Sequence, residues 1–249
     1  MKVLIAGESW VSYTTHVKGF DSFYTSLYAE GVEYIKKAIE KAGYEVDFLP
    51  NHLAPEKFPF VMEEIGKYSC VILSDIGSNT LLIPPQTFGR SERAPNRCKL
   101  IKDYVLAGGA LLMVGGYMSF SGVDAKARYG QTPVKDVLPV KCLDIDDRAE
   151  HPEGVVPNVV KKHEAIRDLP QKSEAWPYFL GYNKTVPVPE GEVLVTIDGD
   201  PLIAVGSFGK GRSAVFTSDC APHWGPPEFV NWDCYDVLWE NLLEYLTKR

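Results

Sequence analysis

The sequence lacks the cysteine patterns that disulfide scaffolds and structural zinc sites need. It has five cysteines, an odd number, and no two of them form a C-x-x-C pair. Disulfide frameworks use even numbers of cysteines and zinc ribbons use closely spaced pairs, so both classes are disfavoured. The sequence therefore predicts free thiols in a reducing cytoplasm, with no metal site and no other cofactor.

The chain also has little positive charge and no long hydrophobic run. It carries 26 Lys and Arg against 33 Asp and Glu, a formal net charge of -7. The longest uncharged stretch, 105–123, is interrupted by glycines, and the apolar run after Met1 stops at Glu8. These features disfavour nucleic acid as a partner, a signal peptide and a transmembrane segment. We expect a cytoplasmic protein that binds neither nucleic acid nor membrane.

Short β-rich runs alternate with helical patterns through the first half of the chain. The predicted strands are 3–7, 45–49, 69–74 and 110–114, and the predicted helices are 28–42, 60–67 and 96–107. A long loop is predicted between the first strand and the first helix. Repeated alternation of this kind favours a doubly wound, mostly parallel sheet with helices on both faces.

The pattern changes after Gly116, where prolines divide the chain into short extended pieces. Three further strands are predicted at 193–197, 201–205 and 212–217, and an amphipathic helix closes the chain at 235–246. With 249 residues the chain is long enough for a core of its own. The prediction is one α/β domain spanning 1–249, with an additional β-rich C-terminal half.

Ligands of open parallel sheets bind outside the carboxyl ends of the strands, so the loops that follow the strands hold the candidate residues. After the first strand these are Glu8, Ser9, Trp10 and His16, in a loop much longer than the turn requires. Asp75 follows the third strand. A helix cap or an Asx-turn would explain the acidic residues without any function, and both interpretations stay open.

The loop after the fourth strand, 115–122, lies where a nucleophile elbow would be. Tyr117 occupies the position of the cysteine in a G-x-C-x-G pattern, and tyrosine is a poor nucleophile at neutral pH. Met118 and Ser119 follow it, and Ser119 carries the nearest hydroxyl. The alternative is a tight turn that forms the floor of a pocket.

The loop after the last strand has the densest cluster of polar and aromatic residues. Cys220 and His223 are a candidate thiolate–imidazolium pair. Asp219 or Glu228 would orient the imidazole, and Trp224 would line the pocket. Against this, a free cysteine is commonly a small buried apolar residue. No metal-ligand spacing supports a metal site here.

Together these loops resemble the putative glutamine amidotransferase family, a branch of the class I glutamine amidotransferase-like superfamily. The resemblance rests on the segments 7–21, 116–129 and 218–235. It implies a flavodoxin-like fold and, in true class I enzymes, an elbow cysteine completed by a histidine and a glutamate. Tyr117 replaces that cysteine here, and five positions separate His223 from Glu228 where the family pattern has two.

The resemblance therefore implies the scaffold and the pocket rather than standard glutaminase activity. The leading hypothesis is a small polar ligand bound in a pocket at the strand carboxyl ends. One alternative is a hydrolase or amidase with Cys220 or Ser119 as nucleophile and His223 as base. Another is a non-catalytic subunit or interaction module. Whether the protein is an enzyme, and whether it forms a homo-oligomer, both stay open.

Overall fold

A mixed sheet of eight strands lies at the centre of the structure, a computed structural model that describes residues 1–248. The strands, smaller sheets included, are β1 (Lys2–Gly7), β2 (Ser9–Lys18), β3 (Asp21–Glu30), β4 (Glu45–Leu49), β5 (Cys70–Ser74), β6 (Ala110–Val114), β7 (Val140–Cys142), β8 (Arg148–Val155), β9 (Asn158–Val159), β10 (Phe179–Asn183), β11 (Thr185–Pro187), β12 (Gly191–Ile197), β13 (Asp200–Phe208) and β14 (Gly211–Phe216). The α-helices are α1 (Glu33–Lys41), α2 (Ala54–Lys57), α3 (Met62–Ile65), α4 (Ser78–Leu82), α5 (Pro85–Arg90), α6 (Arg97–Leu106), α7 (Pro227–Val230) and α8 (Tyr235–Thr247).

The strand order in the main sheet is β4-β1-β5-β6-β14-β13-β12-β9. The neighbours from β4 to β14 run parallel, and the last three pairs are antiparallel. The parallel strands are apolar on both faces because helices cover both sides, and α1 with α8 packs on one side while α6 lies on the other. The chain thus has an α/β fold.

Most predicted elements are present with shifted ends. The strands at 45–49 and 110–114 have the predicted bounds, and the final helix extends one residue further, to Thr247. The three late strands form the predicted antiparallel run, and they extend the same sheet because β14 pairs in parallel with β6. Helices α4 and α5 were not predicted, since they are short and lie in a Pro- and Gly-containing segment.

The predicted loop after β1 is wrong, because this segment is a long β-hairpin. Strands β2 and β3 pair in register from Ser9 with Glu30 to Lys18 with Asp21. Threonine, valine and aromatic residues favour strands, and the hairpin turns at Gly19. The first helix consequently begins at Glu33, after the hairpin, instead of at residue 28.

All five cysteines are free, and four of them are buried. Within residues 1–248, no helix combines the length and the apolar character that crossing a bilayer requires.

Candidate functional site

Three strand ends bring four polar side chains together at the carboxyl edge of the sheet. Glu8 follows β1, Ser74 ends β5, and Asp219 and Cys220 follow β14. The Ser74 hydroxyl donates a hydrogen bond of 2.5 Å to Glu8 Oε1, and its oxygen lies 3.8 Å from Cys220 Sγ. All four residues are buried. The sheet topology thus joins loops that are far apart in the sequence.

The carboxyl groups here hold their protons more tightly than ordinary carboxyl groups. Burial raises the pKa of Glu8 well above its usual value, and the neighbouring Asp219 and Asp75 raise it further. Burial also raises the pKa of Asp75, to about 6, and Asp219 adds to the shift. The pKa of Asp219 is raised by burial too, although contact with His223 opposes this. Since buried carboxylates in proximity repel one another, this group ionises less readily than separate, exposed carboxyl groups do.

His223 connects this buried group to the solvent. Its Nδ1 lies 3.6 Å from Asp219 Oδ2, and 42% of its side chain is exposed. The contact with Asp219 raises the pKa of His223, against the opposing effect of burial. The imidazole stacks on Trp224 and meets the edge of Tyr117, with ring centroids 5.2 and 4.4 Å away. The Asp219–His223 pair is therefore a polar group that reaches the protein surface, where aromatic rings lie beside it.

Glu150, in β8, holds the two aromatic walls in place. Tyr117 donates its hydroxyl proton to Glu150 Oε1, and the Trp224 indole N–H donates to Oε2, each over 3.0 Å. Arg148 lies over the Tyr117 ring at 4.9 Å. Sequence reasoning missed Glu150 and Arg148 because they lie in the proline-rich middle region, far in sequence from any motif.

The turn after β6 does not have the form of a nucleophile elbow. No α-helix follows it directly, and the first helical segment is a 3₁₀ turn at Val123–Ala125. The Ser119 hydroxyl donates to the Val114 carbonyl and accepts from the Asp75 backbone N–H. Asp75 in turn accepts from the Met118 backbone N–H. Ser119 therefore ties two loops together within the fold.

A polar cavity of about 620 Å³ adjoins this turn. It lies between the segment after β5 and the segment after β6, and its volume falls in the range of small-molecule sites. Met118 belongs both to the turn after β6, where its N–H donates a hydrogen bond to Asp75, and to the lining of the cavity. The other lining residues are Gly77, Asn79, Thr80, Ser121, Asp124, Ala125, Lys126, Arg128, Gly130, Gln131, Leu143 and Asp144.

Several predicted site residues lie elsewhere or have structural roles. His16 is out on the hairpin, where it stacks on Phe23 and contacts Thr25. Ser9 accepts a hydrogen bond from the Asn51 backbone N–H at the hairpin base. Glu228 accepts a hydrogen bond from the hydroxyl of Tyr178. The carboxylate beside His223 is accordingly that of Asp219.

Trp10 lies at the base of the hairpin, near the buried carboxyl groups. A Cβ built on Gly31 would lie 2.7 Å from Glu8 Oε2 and 3.5 Å from the Trp10 ring. Trp10 is 44% exposed. Its ring therefore lies close to Gly31 and Glu8, and it remains partly open to solvent.

Cys220 has the environment of a structural thiol. It is fully buried, and burial together with the charges of Glu8 and Asp219 raises its pKa well above the ordinary value. A reactive cysteine needs the opposite shift, which a nearby cation or helix N-terminus provides. The Nδ1 of His223 is directed to Asp219 instead.

Glu8, Asp219 and Cys220 are also the residues best placed to hold a metal ion. Their donor atoms lie within 4.8 Å of one another, and no other group of this kind occurs among residues 1–248. These donors already have partners, however, because Ser74 donates to Glu8 and His223 contacts Asp219.

Two solved structures resemble this chain along its whole length. The cytoplasmic proteins STM3548 from Salmonella typhimurium and STM1381 from Salmonella typhimurium LT2 are each 42% identical to it, with full coverage of both chains and TM-scores of 0.95 and 0.94. A putative ThuA-like protein from Bacteroides uniformis shares the fold at 12% identity, with a TM-score of 0.55 over 98% of this chain and 90% of that one.

No curated protein matches the chain. The profile of the putative glutamine amidotransferase family matches residues 2–248. This match covers every loop that contributes to the site, including the turn that holds Tyr117. The chain therefore belongs to the putative glutamine amidotransferase family.

Proposed function

We propose that this protein binds a small polar ligand at the carboxyl ends of the parallel strands and does not carry out Cys-His-Glu glutamine hydrolysis. The observation that carries the proposal is the Asp219–His223 pair, whose imidazole packs against the rings of Tyr117 and Trp224. A polar pair beside aromatic rings suits ligands with hydroxyl or amino groups, such as sugars and amino acids.

The adjoining cavity gives such a ligand room. Its 620 Å³ are lined by polar and apolar side chains, and Met118, whose backbone N–H binds Asp75, is one of the lining residues. Lys126 and Arg128 in its lining offer hydrogen-bond donors, and Asp124 and Asp144 offer acceptors. These groups favour a ligand that both donates and accepts hydrogen bonds.

The alternative with a relocated nucleophile has less support. Cys220 is buried next to carboxyl groups that raise its pKa, and the Ser119 hydroxyl is engaged with backbone groups. His223 contacts Asp219, which would suit a base or an acid, but neither candidate nucleophile is bonded to it. Ligand binding explains an exposed imidazole beside a buried carboxyl group without requiring a nucleophile.

Three further parts of the proposal concern the whole chain. The order of the parallel strands, β4-β1-β5-β6-β14, supports a flavodoxin-like sheet. Both Salmonella relatives are described as cytoplasmic proteins, which supports a cytoplasmic location for this one. Residues 1–249 are proposed to form one domain.

A thermal-shift screen of monosaccharides, amino acids and nucleotides tests the proposal, followed by calorimetry on the best compound. We expect His223→Ala and Tyr117→Ala to weaken binding by about 10-fold or more, because hydrogen bonds to charged groups contribute about 1.5–3 kcal/mol. Phe88→Ala, an exposed change on α5, is the matched control and should bind normally. Unchanged affinity in His223→Ala would place the ligand elsewhere.

Ammonia release from glutamine tests the enzymatic alternative. Neither the wild type nor Cys220→Ala should release ammonia above background. Activity that is present in the wild type and lost in Cys220→Ala would instead establish a relocated nucleophile.

A further inference from the structure

The hairpin arm, formed by β2 and β3, extends away from the rest of the protein. Each strand has ten residues, and in residues 1–248 the two strands form a sheet of their own. At roughly 3.3 Å per residue the arm is about 33 Å long. Its anchoring contacts are near its base, where Ser9 bonds to Asn51 and the Tyr28 ring meets His52.

Both faces of the hairpin arm carry exposed apolar side chains. The register places Tyr13, Val17 and Tyr24 on one face and Phe23 and Leu27 on the other. The exposed fractions of Tyr13, Tyr24 and Leu27 are 80, 74 and 67%. A surface hairpin that packs on its own domain has one apolar and one polar face, so this pattern requires cover on both sides.

The arm is also unfavourable to leave uncovered. An isolated two-stranded hairpin is marginally stable in water, and soluble monomers rarely expose large contiguous apolar patches. Within residues 1–248, both outer edges of the arm lack a neighbouring strand, which leaves two rows of backbone groups free to pair. Solvent alone is thus a poor environment for this segment.

The charge of the arm suits a second copy of the same chain. Between Val11 and Ala29 the only charged residues are Lys18 and Asp21, which cancel, although the whole chain carries -7. Two arms can approach without repulsion between them. The absence of a cationic cluster on this segment disfavours an anionic membrane or a nucleic acid as the occupant.

The apolar area is close to what a stable dimer needs. Six aromatic side chains of the arm are 43% exposed or more. At about 150–250 Å² per fully buried aromatic residue, covering them would bury roughly 700 Å² per copy. Standard interfaces bury about 800 Å² per partner, and the aliphatic residues of the arm add to the total. The aromatic side chains are Trp10, Tyr13, Phe20, Phe23, Tyr24 and Tyr28.

We propose that the hairpin arm is a dimerisation arm, which a second copy of the chain covers on both faces in a two-fold symmetric interface. Such an interface is self-complementary, as the alternation of serine and tyrosine side chains along β3 on the Tyr13 face allows. The arm begins at Ser9, directly after Glu8, so dimerisation would also fix the position of Trp10 beside the candidate site.

Sedimentation velocity of the full chain over a dilution series tests the proposal. We expect the wild type to have twice the mass of the 27.7 kDa chain. The double variant Tyr13→Lys/Tyr24→Lys should dissociate at concentrations at least about 100-fold higher than the wild type does. Phe88→Lys, which adds a charge at an equally exposed aromatic residue outside the arm, should remain dimeric.

Circular dichroism of each variant checks that the main sheet is folded, which we expect because the substituted side chains lie outside the core. A wild type that has the mass of one chain at every concentration would overturn the proposal. A double variant that dissociates no more readily than Phe88→Lys would also overturn it.

Discussion

At the scale of single residues, the candidate site combines unfavourable backbone conformations with buried acidic side chains. Glu8 and Asp75 both have positive φ angles, 41° and 46°, which non-glycine residues rarely adopt. Both are also acidic, and burial raises the pKa of each. Strained, buried acids placed together at strand ends are typical of functional sites, because packing alone gives no reason to retain them.

The substitution Asp75→Asn should flatten the pH dependence of stability. The folded-state pKa of Asp75 is raised to about 6, so the native state binds this proton more tightly than the unfolded chain does. Its contribution to stability is complete below about pH 4 and is lost as the pH rises through about 6. Asparagine keeps the acceptor for the Met118 N–H and does not titrate.

We therefore expect the free energy of unfolding of Asp75→Asn to exceed that of the wild type by on the order of 2 kcal/mol at neutral pH, with little gain near pH 4. Urea titrations at several pH values measure this difference. Asp233→Asn, at an exposed position, is the control and should follow the wild type. Parallel pH curves for Asp75→Asn and the wild type would contradict the expectation.

At the scale of elements, the sequence predicts the strands and helices whose apolar residues recur at regular spacing within a short segment. The buried strands and α8 have regular apolar spacing, and their bounds are nearly as predicted. The hairpin was missed because its apolar side chains occupy both faces, so no simple alternation marks it. The sequence also singles out the loop of Cys220, but the contact of this loop with Ser74 depends on the neighbouring strands.

The end of β1 is the element most sensitive to an added methyl group. Gly7 has φ +119°, and a Cβ there would lie 1.7 Å from the Ser74 carbonyl oxygen. Gly7→Ala must therefore push β1 away from β5. Gly19, at the hairpin turn, also has a positive φ of +65°, but a Cβ there would have no atom within 4 Å.

We expect Gly19→Ala to cost about 1 kcal/mol of stability, the usual penalty for alanine at positive φ. Gly7→Ala should cost several times more and lower the yield of folded protein, since backbone strain and overlap add together. Thermal unfolding of both variants measures the difference. Equal losses of stability would show that β1 can move without penalty.

At the scale of the whole molecule, the order of the strands joins the two halves of the chain. Strand β14, near the C-terminus, lies between β6 and β13, and α8 packs against α1. One core cluster includes residues from Val3 to Leu246. Neither half can bury its side of the sheet alone, so the two halves should fold together.

We accordingly expect a single cooperative unfolding transition. Four of the five tryptophans lie in the C-terminal half, at 176, 224, 232 and 239, so tryptophan fluorescence reports mainly on that half. Far-UV circular dichroism reports on the whole chain. The two transitions in urea should coincide. Separate midpoints would indicate two independently stable units and would count against one domain.

The sequence by itself determined the α/β class, the family and the strand ends where polar residues collect. Hydrophobic periodicity and turn residues act over a few positions, and motifs are read directly from the chain. Only the tertiary structure decided that Asp219 rather than Glu228 accompanies His223, that Glu150 supports Tyr117 and Trp224, and that Cys220 lies buried among acids. The side-chain contacts depend on which strands are neighbours in the sheet, and the pKa values depend on how deeply each group is buried. Both the contacts and the burial arise from packing between segments that are far apart in the chain.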